Sequence, residues 1–99
     1  MIPQGVYDAP MEIPQDTIAD LQKRLRRIEG QVRGIQQMLE EERDCREIVN
    51  QISAAGKALE QVGFNLVAAG LTWCVGNPER SRREGYSIDD VQKMFLKLA

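Results

Sequence analysis

Residues 18–39, IADLQKRLRRIEGQVRGIQQML, set apolar side chains at Ile18, Leu21, Leu25, Ile28, Val32, Ile35 and Leu39. The steps alternate between three and four, which keeps one stripe along an α-helix with a heptad period. The pattern predicts a helix that begins at Asp16 or Thr17, either of which can cap it. It ends in the polar run Glu40, Glu41, Glu42, Arg43. A second helix is expected from Asp44, because Asp44 and Glu47 have capping-box spacing. Its seam runs Ile48, Ile52, Ala55, Leu59, Val62, Leu66, Ala69 and Trp73. Phe64, Val67 and Leu71 add a second stripe, so this helix should be contacted on two sides. Gly76-Asn77-Pro78 is a strong stop.

Beyond the stop, a loop containing Glu79, Arg80, Arg82 and Arg83 is expected. Ser87 with Asp90 again has cap-like spacing and opens a short third helix, with Ile88, Val91, Phe95 and Leu98 as its apolar face. Gly30 and Gly34 are four apart, and Gly56, Gly63 and Gly70 recur every seven. Such regular spacing predicts close helix packing, with a hinge as the alternative. Residues 1–15 carry Pro3, Pro10 and Pro14 and no apolar period, and read as a flexible arm preceding a helical domain over residues 16–99.

These elements give an all-α chain of two long helices and a short third. Ninety-nine residues suit one small domain, and Tyr7, Phe64, Trp73, Tyr86 and Phe95 are its only aromatics, so a monomer would have a thin core. The short helix cannot cover both long seams. Two chains forming an antiparallel four-helix bundle solve this, with further association left open. The N-terminus lacks a signal-peptide pattern and no run approaches 18 apolar residues, so a cytoplasmic protein without a membrane span is expected.

A net charge of −2 argues against a uniformly basic nucleic-acid binder. Locally, Lys23, Arg24, Arg26, Arg27 and Arg33 outweigh Asp20 and Glu29. Such a stripe can neutralise DNA phosphates, or it can be the solvated flank of a coiled coil. Helix-turn-helix, zinc-finger and RNA-binding aromatic patterns are absent. The chain has no histidine base, phosphate-binding glycine loop or recognisable carboxylate pair, so no enzyme and no bound cofactor are expected.

Cys45 and Cys74 are the only cysteines, and they fall at opposite ends of the second helix. An unbroken helix holds them roughly 43 Å apart at ~1.5 Å per residue, far beyond the ~7 Å that a disulfide tolerates. In an antiparallel pair of chains, however, the start of one helix lies beside the end of the other. The two-thiol sites are then shared between protomers. Nickel and cobalt usually want imidazole or harder ligands and zinc wants four ligands, whereas copper(I) accepts two sulfurs. Two unrelated cysteines acting as small hydrophobes are the bland alternative. Cys45 lies at the positive end of the helix dipole, with Arg43 and Arg46 adding to it and Asp44 and Glu47 opposing; Cys74 lies at the negative end. Cys45 is therefore expected to attack and Cys74 to resolve.

The run Arg24-Leu25-Arg26-Arg27-Ile28-Glu29-Gly30-Gln31-Val32-Arg33-Gly34-Ile35, with Met38-Leu39-Glu40, Asp44-Cys45 and Gln51-Ile52-Ser53-Ala54, resembles the copper-sensing operon repressor (CsoR) family. The resemblance covers about residues 17–98. It implies an all-helical dimer pairing into a tetramer, and a repressor of operator double-stranded DNA that an effector at the shared thiols releases. The family's metal site uses a cysteine at the start of the second helix, matched by Cys45, and a histidine and cysteine near its end. Cys74 matches the latter cysteine, but Gly70 stands at the histidine's place. Two cysteines without the histidine look like the persulfide-sensing branch, the CsoR-like sulfurtransferase repressors. There, reactive sulfur species bridge the two cysteines across the dimer. A copper(I) sensor using the same two thiols is the alternative, and a coiled-coil scaffold without a DNA role is a third. Asp44 replaces a tyrosine common in copper sensors, and Asp90 replaces a coupling glutamate. Arg24 matches an arginine important for operator binding, and Gln61 replaces a basic residue found in some members.

Overall fold

Over residues 12–99, the part described by the computed structural model, the chain folds into α1 (Gln15–Glu40), α2 (Cys45–Gly76), α3 (Pro78–Arg83) and α4 (Ile88–Leu98), with no strand. Residues 1–11 of the expected arm lie outside the described residues. α1 and α2 form a helical hairpin, and α3 and α4 fold back on the C-terminal half of α2. The apolar core is split into two small clusters. Leu21, Ile28 and Val62 join α1 to α2, while Trp73, Cys74 and Val91 join α2 to α4.

Each long seam divides into two halves. Leu21 and Ile28 on α1, and Ile48, Ala55 and Val62 on α2, are buried within the hairpin. The alternate seam positions Leu25, Val32 and Leu39 on α1, and Ile52, Leu59 and Leu66 on α2, are 38–59% exposed. Both sets recur every seven residues, so the hairpin satisfies one heptad position of each helix and leaves the other bare. The radius of gyration, 17.6 Å, exceeds the ~13 Å of a compact 100-residue domain. The second α2 stripe is contacted as expected: Phe64 and Phe95 stack at 5.3 Å between centroids, and Val67 packs beside Trp73 and Val91. α2 is also apolar enough on average to cross a bilayer, with a mean hydropathy of 1.2 over an 18-residue window. Counting consecutive apolar residues overlooks this, because its small residues raise the mean without forming a run.

The helix ends depart from the sequence expectations in instructive ways. α1 starts one residue early, after Pro14, and neither Asp16 nor Thr17 caps it. Asp44 does occupy the N-cap of α2, but its side chain makes no cap bond. Glu47 turns instead to Arg43, at 3.0 Å, so the capping box is not formed. Residues 78–83, expected as loop, form α3. Pro78 at its first position is preset for a helix, and Glu79 before Arg80, Arg82 and Arg83 matches the dipole.

Both α1 and α3 close with Schellman hydrogen bonds. At α1, Glu42 N–H donates to Leu39 O and Arg43 N–H to Met38 O; at α3, Gly85 N–H donates to Arg82 O and Tyr86 N–H to Ser81 O. The pivot residue must adopt a left-handed backbone. Gly85 does so freely at φ 78°, whereas Glu42 does so at φ 54° against the steric cost of its Cβ. The Ser87 capping box forms fully. Asp90 N–H donates to Ser87 Oγ at 3.2 Å, and Ser87 N–H and O–H donate to Asp90 Oδ2 at 3.0 and 2.6 Å.

Of the spaced glycines, only Gly63 shows tight packing where a Cβ can be tested. An added Cβ would lie 2.8 Å from Leu98 Cδ2. Gly30, Gly34 and Gly56 face open space, so packing inside the chain does not account for them. Gly70 is buried.

Two outcomes test this architecture. Replacing Leu59 by lysine should shift sedimentation toward the monomer, because it charges the bare half-seam. Replacing Ser87 by alanine should cost about 1 kcal/mol in urea melts at neutral pH. The Ser87 hydrogen bonds hold the Asp90 carboxyl below its ordinary pKa. Their contribution is present above the ordinary carboxylate range and is lost as pH falls through the lowered value. The difference between wild type and S87A should therefore shrink in acid.

Candidate functional site

α2 runs without a break from Cys45 in its first turn to Cys74 in its last, so the two thiols of one chain stand at opposite ends of a rigid rod. Their surroundings differ. Cys45 is exposed and Cys74 is buried, at 3% exposure. The Cys74 S–H donates to the Tyr86 carbonyl oxygen at 2.9 Å. Ser81, itself 2% exposed, donates its hydroxyl to the same oxygen. Tyr86 thus joins the end of α2 to α3 and to the start of α4, and the left-handed Gly85 places it there.

Beside Cys74 the only tryptophan is buried, and its indole N–H has no hydrogen-bond partner among the described residues. The Arg80 guanidinium lies 5.8 Å over the Trp73 ring, within cation–π range. Arg80 also pairs with Glu12 at 2.7 Å and with Glu84 at 3.6 Å, tying the segment before α1 to the Cys74 end. Sequence reasoning missed Arg80 as an organiser. Its signal was the i,i+4 spacing to Glu84, which becomes readable only once α3 is known to be a helix.

The remaining named positions fall as follows. Asp44 caps no group and precedes exposed Cys45; Gly70 lies one turn before Cys74 on the same face; Asp90 is committed to Ser87. Among the described residues no group of three or more His, Cys, Asp or Glu side chains is placed to hold a metal within one chain.

Lys23, Arg24, Arg26, Arg27 and Arg33 are all exposed on α1. Helical spacing sets Lys23 and Arg26 opposite the Leu21–Ile28 seam and Arg27 and Arg33 on its flanks, where Arg33 lines a cleft with Leu25, Ile28 and Val32. Arg24 lies to the side and pairs with Asp20 at 2.9 Å. Gly30 and Gly34 share the basic face and face open space there, so the cations flank a stretch of bare backbone. Gln61 is exposed on α2.

The family model described as metal-sensitive transcriptional repressor matches residues 17–97. The chain belongs to that family. Among its relatives, the copper-sensing transcriptional repressor CsoR of Bacillus subtilis (strain 168) is 40% identical over 75% of this chain and 73% of its own length. The copper-sensing transcriptional repressor RicR of Mycobacterium tuberculosis is 53% identical over 54% of this chain. That match spans 55% of RicR, so just over half of that relative is represented. The crystal structure of the copper-sensing repressor CsoR with Cu(I) from Geobacillus thermodenitrificans NG80-2 superposes with a TM-score of 0.66 at 37% identity, covering 99% of this chain and 90% of that one. The resemblance read from Arg24 to Ala54 thus holds at the level of the family, and the all-helical fold agrees.

Burial orders the two thiols. Native protein treated with a limiting small alkylating reagent should be modified at Cys45 before Cys74. Peptide mapping of the product checks this, and a faster Cys74 would reverse the assignment of Cys45 as the attacking group.

Proposed function

We propose that this chain is a cytoplasmic operator-binding repressor that copper(I) releases from DNA through Cys45 of one protomer and Cys74 of the partner subunit. The observation that carries this reading is the unbroken α2, with a bare half-seam beside it in a family of metal-sensitive repressors. Antiparallel pairing of two chains through Leu25, Val32, Ile52, Leu59 and Leu66 covers the seam and brings opposite ends of α2 together. A homodimer then carries two equivalent sites, and pairing of dimers multiplies the basic faces. Two soft thiolates suit copper(I), whereas a chain with no histidine offers little to nickel or cobalt. The named relatives, each copper-sensing, support this effector.

A second reading makes reactive sulfur species the effector. It is favoured by the absence of histidine and by Gly70 standing one turn before Cys74. Cys45 thiolate attacks a sulfane sulfur and becomes a persulfide, and the donor's remainder leaves as a thiolate. The partner subunit's Cys74 attacks the inner sulfur, expels hydrosulfide and closes an interchain bridge.

Both chemistries require the Cys74 thiol to lose its proton. That removes the S–H donor from Tyr86, the residue that leads into α4. The site therefore touches the packing of α3 and α4 directly. A coupling of ~1–3 kcal/mol between effector and DNA is the usual range, or roughly 5- to 150-fold in affinity.

Gel-shift titration of reduced protein separates these readings. Copper(I) buffered by a chelator should release the DNA without change of intact mass, and excess chelator should restore binding. Polysulfide acting instead would leave a covalent disulfide-linked dimer, reversible by a thiol reductant. Cys45→Ser should abolish either response; release that persists in this variant would sink the two-thiol site. Removing Arg26 or Arg27 should weaken binding to all sequences and lower the salt slope by about one. Salt-insensitive binding, or none, would instead leave the scaffold reading.

A further inference from the structure

Val49 belongs to neither row of the α2 seam, yet it is apolar, β-branched and 54% exposed. It lies one turn after Cys45 and shares its face. At the other end of α2, Gly70 lies one turn before Cys74 on the same face. With Leu66, Val67, Val91 and Met94, Gly70 lines a pocket of about 320 Å³. The lining is almost wholly apolar, so it suits a hydrocarbon group better than water. The pocket adjoins Cys74, because Val91 packs against that residue. Leu66 also belongs to the bare row of α2. The pocket is therefore continuous with the face that a second chain covers.

Consider the antiparallel register that sets Cys45 of one chain against the partner's Cys74. Each residue counted forward from Cys45 then faces the residue counted equally far back from Cys74. Four steps bring Val49 opposite Gly70, and seven bring Ile52 opposite Val67. Gly70 and Val67 both line the pocket, and Val49 and Ile52 are both more than half exposed. We propose that the partner's Val49 is a knob that enters the pocket beside Gly70, with the partner's Ile52 next to it, and that this contact fixes the register in which the two thiols meet. It rests on the antiparallel two-thiol reading above. A heptad row repeats, so it can be satisfied again after a slip of seven residues. One knob and one pocket, each a single turn from its cysteine, cannot. Two-fold symmetry forms the contact twice in a dimer. Val49 is thus a positioning residue: it acts on the sulfurs through the placement of the helices that carry them.

Crosslinking of the full-length protein tests it. With Cys45→Ser and Cys74→Ser in place, Val49→Cys combined with Gly70→Cys should give a covalent dimer on mild oxidation with diamide. Peptide mapping should join position 49 of one chain to position 70 of the other. Diamide acting on the unaltered chain should join Cys45 to the partner's Cys74. Separately, Gly70→Val fills the pocket from within and should weaken dimerisation roughly tenfold or more in sedimentation, a change of ~1.4 kcal/mol. Adding Val49→Ala should recover most of that loss, which a merely misfolded variant would not show. A Cys45–Cys74 crosslink without the 49–70 crosslink would overturn the knob and leave the two-thiol reading standing. Gly70→Val protein as dimeric as wild type, or a loss that Val49→Ala does not recover, would also count against the knob. Failure of both crosslinks would overturn the knob and the two-thiol reading together.

Discussion

Among the described residues, half of each heptad seam stays largely exposed, and the rest of the molecule follows from that. An α-helix with a 3–4 apolar spacing presents two neighbouring rows, and a two-helix hairpin can close over only one of them. The row containing Ile48, Ala55 and Val62 is closed by α1, while the row containing Ile52, Leu59 and Leu66 stays open. Among the described residues, eight apolar ones are buried against twelve large ones left exposed, a poor ratio for an independent domain at ~25 cal/mol per Å² of apolar surface removed from water. The open row lies along the length of α2, the element that separates the two cysteines.

At the Cys74 end the architecture changes character. Packing there is short-range and polar contacts set it. Gly85 turns the chain, Tyr86 receives hydrogen bonds from Ser81 and Cys74, and Ser87 with Asp90 fixes the start of α4. A single carbonyl oxygen thus links the Cys74 sulfur to the placement of a whole helix. Arg80 adds a second tie, from Trp73 to the residues that precede α1. On α1, Arg33 of the basic stripe lines a cleft with Leu25, Ile28 and Val32, beside the exposed row.

Much of this was legible before any coordinates. The heptad steps gave both long helices almost to the residue, and Gly76-Asn77-Pro78 gave the stop. Ser87 and Asp90 gave a cap that forms as expected, because their geometry depends on four consecutive residues alone. Asp44 and Glu47 have the same spacing but fail, since Arg43 offers Glu47 a charged partner that a cap pattern does not weigh. α3 was missed because six residues are too few to show a period. The glycine spacing finds one tight contact inside the chain, Gly63 against Leu98, while Gly30 and Gly34 face outward among arginines. At the site, spacing placed the thiols, yet burial of Cys74 and its bond to Tyr86 arise from residues 12 positions apart in sequence, which no local pattern encodes.

The lone indole of the chain lies next to Cys74, shielded from solvent, beneath a guanidinium and, among the described residues, without a hydrogen-bond acceptor. Its excited state is thus sensitive to any rearrangement of that pocket and to any heavy or polarisable atom arriving at the neighbouring sulfur. The protein carries a built-in optical reporter: emission from Trp73 can follow a chemical change at the Cys74 thiol in unlabelled material and in real time.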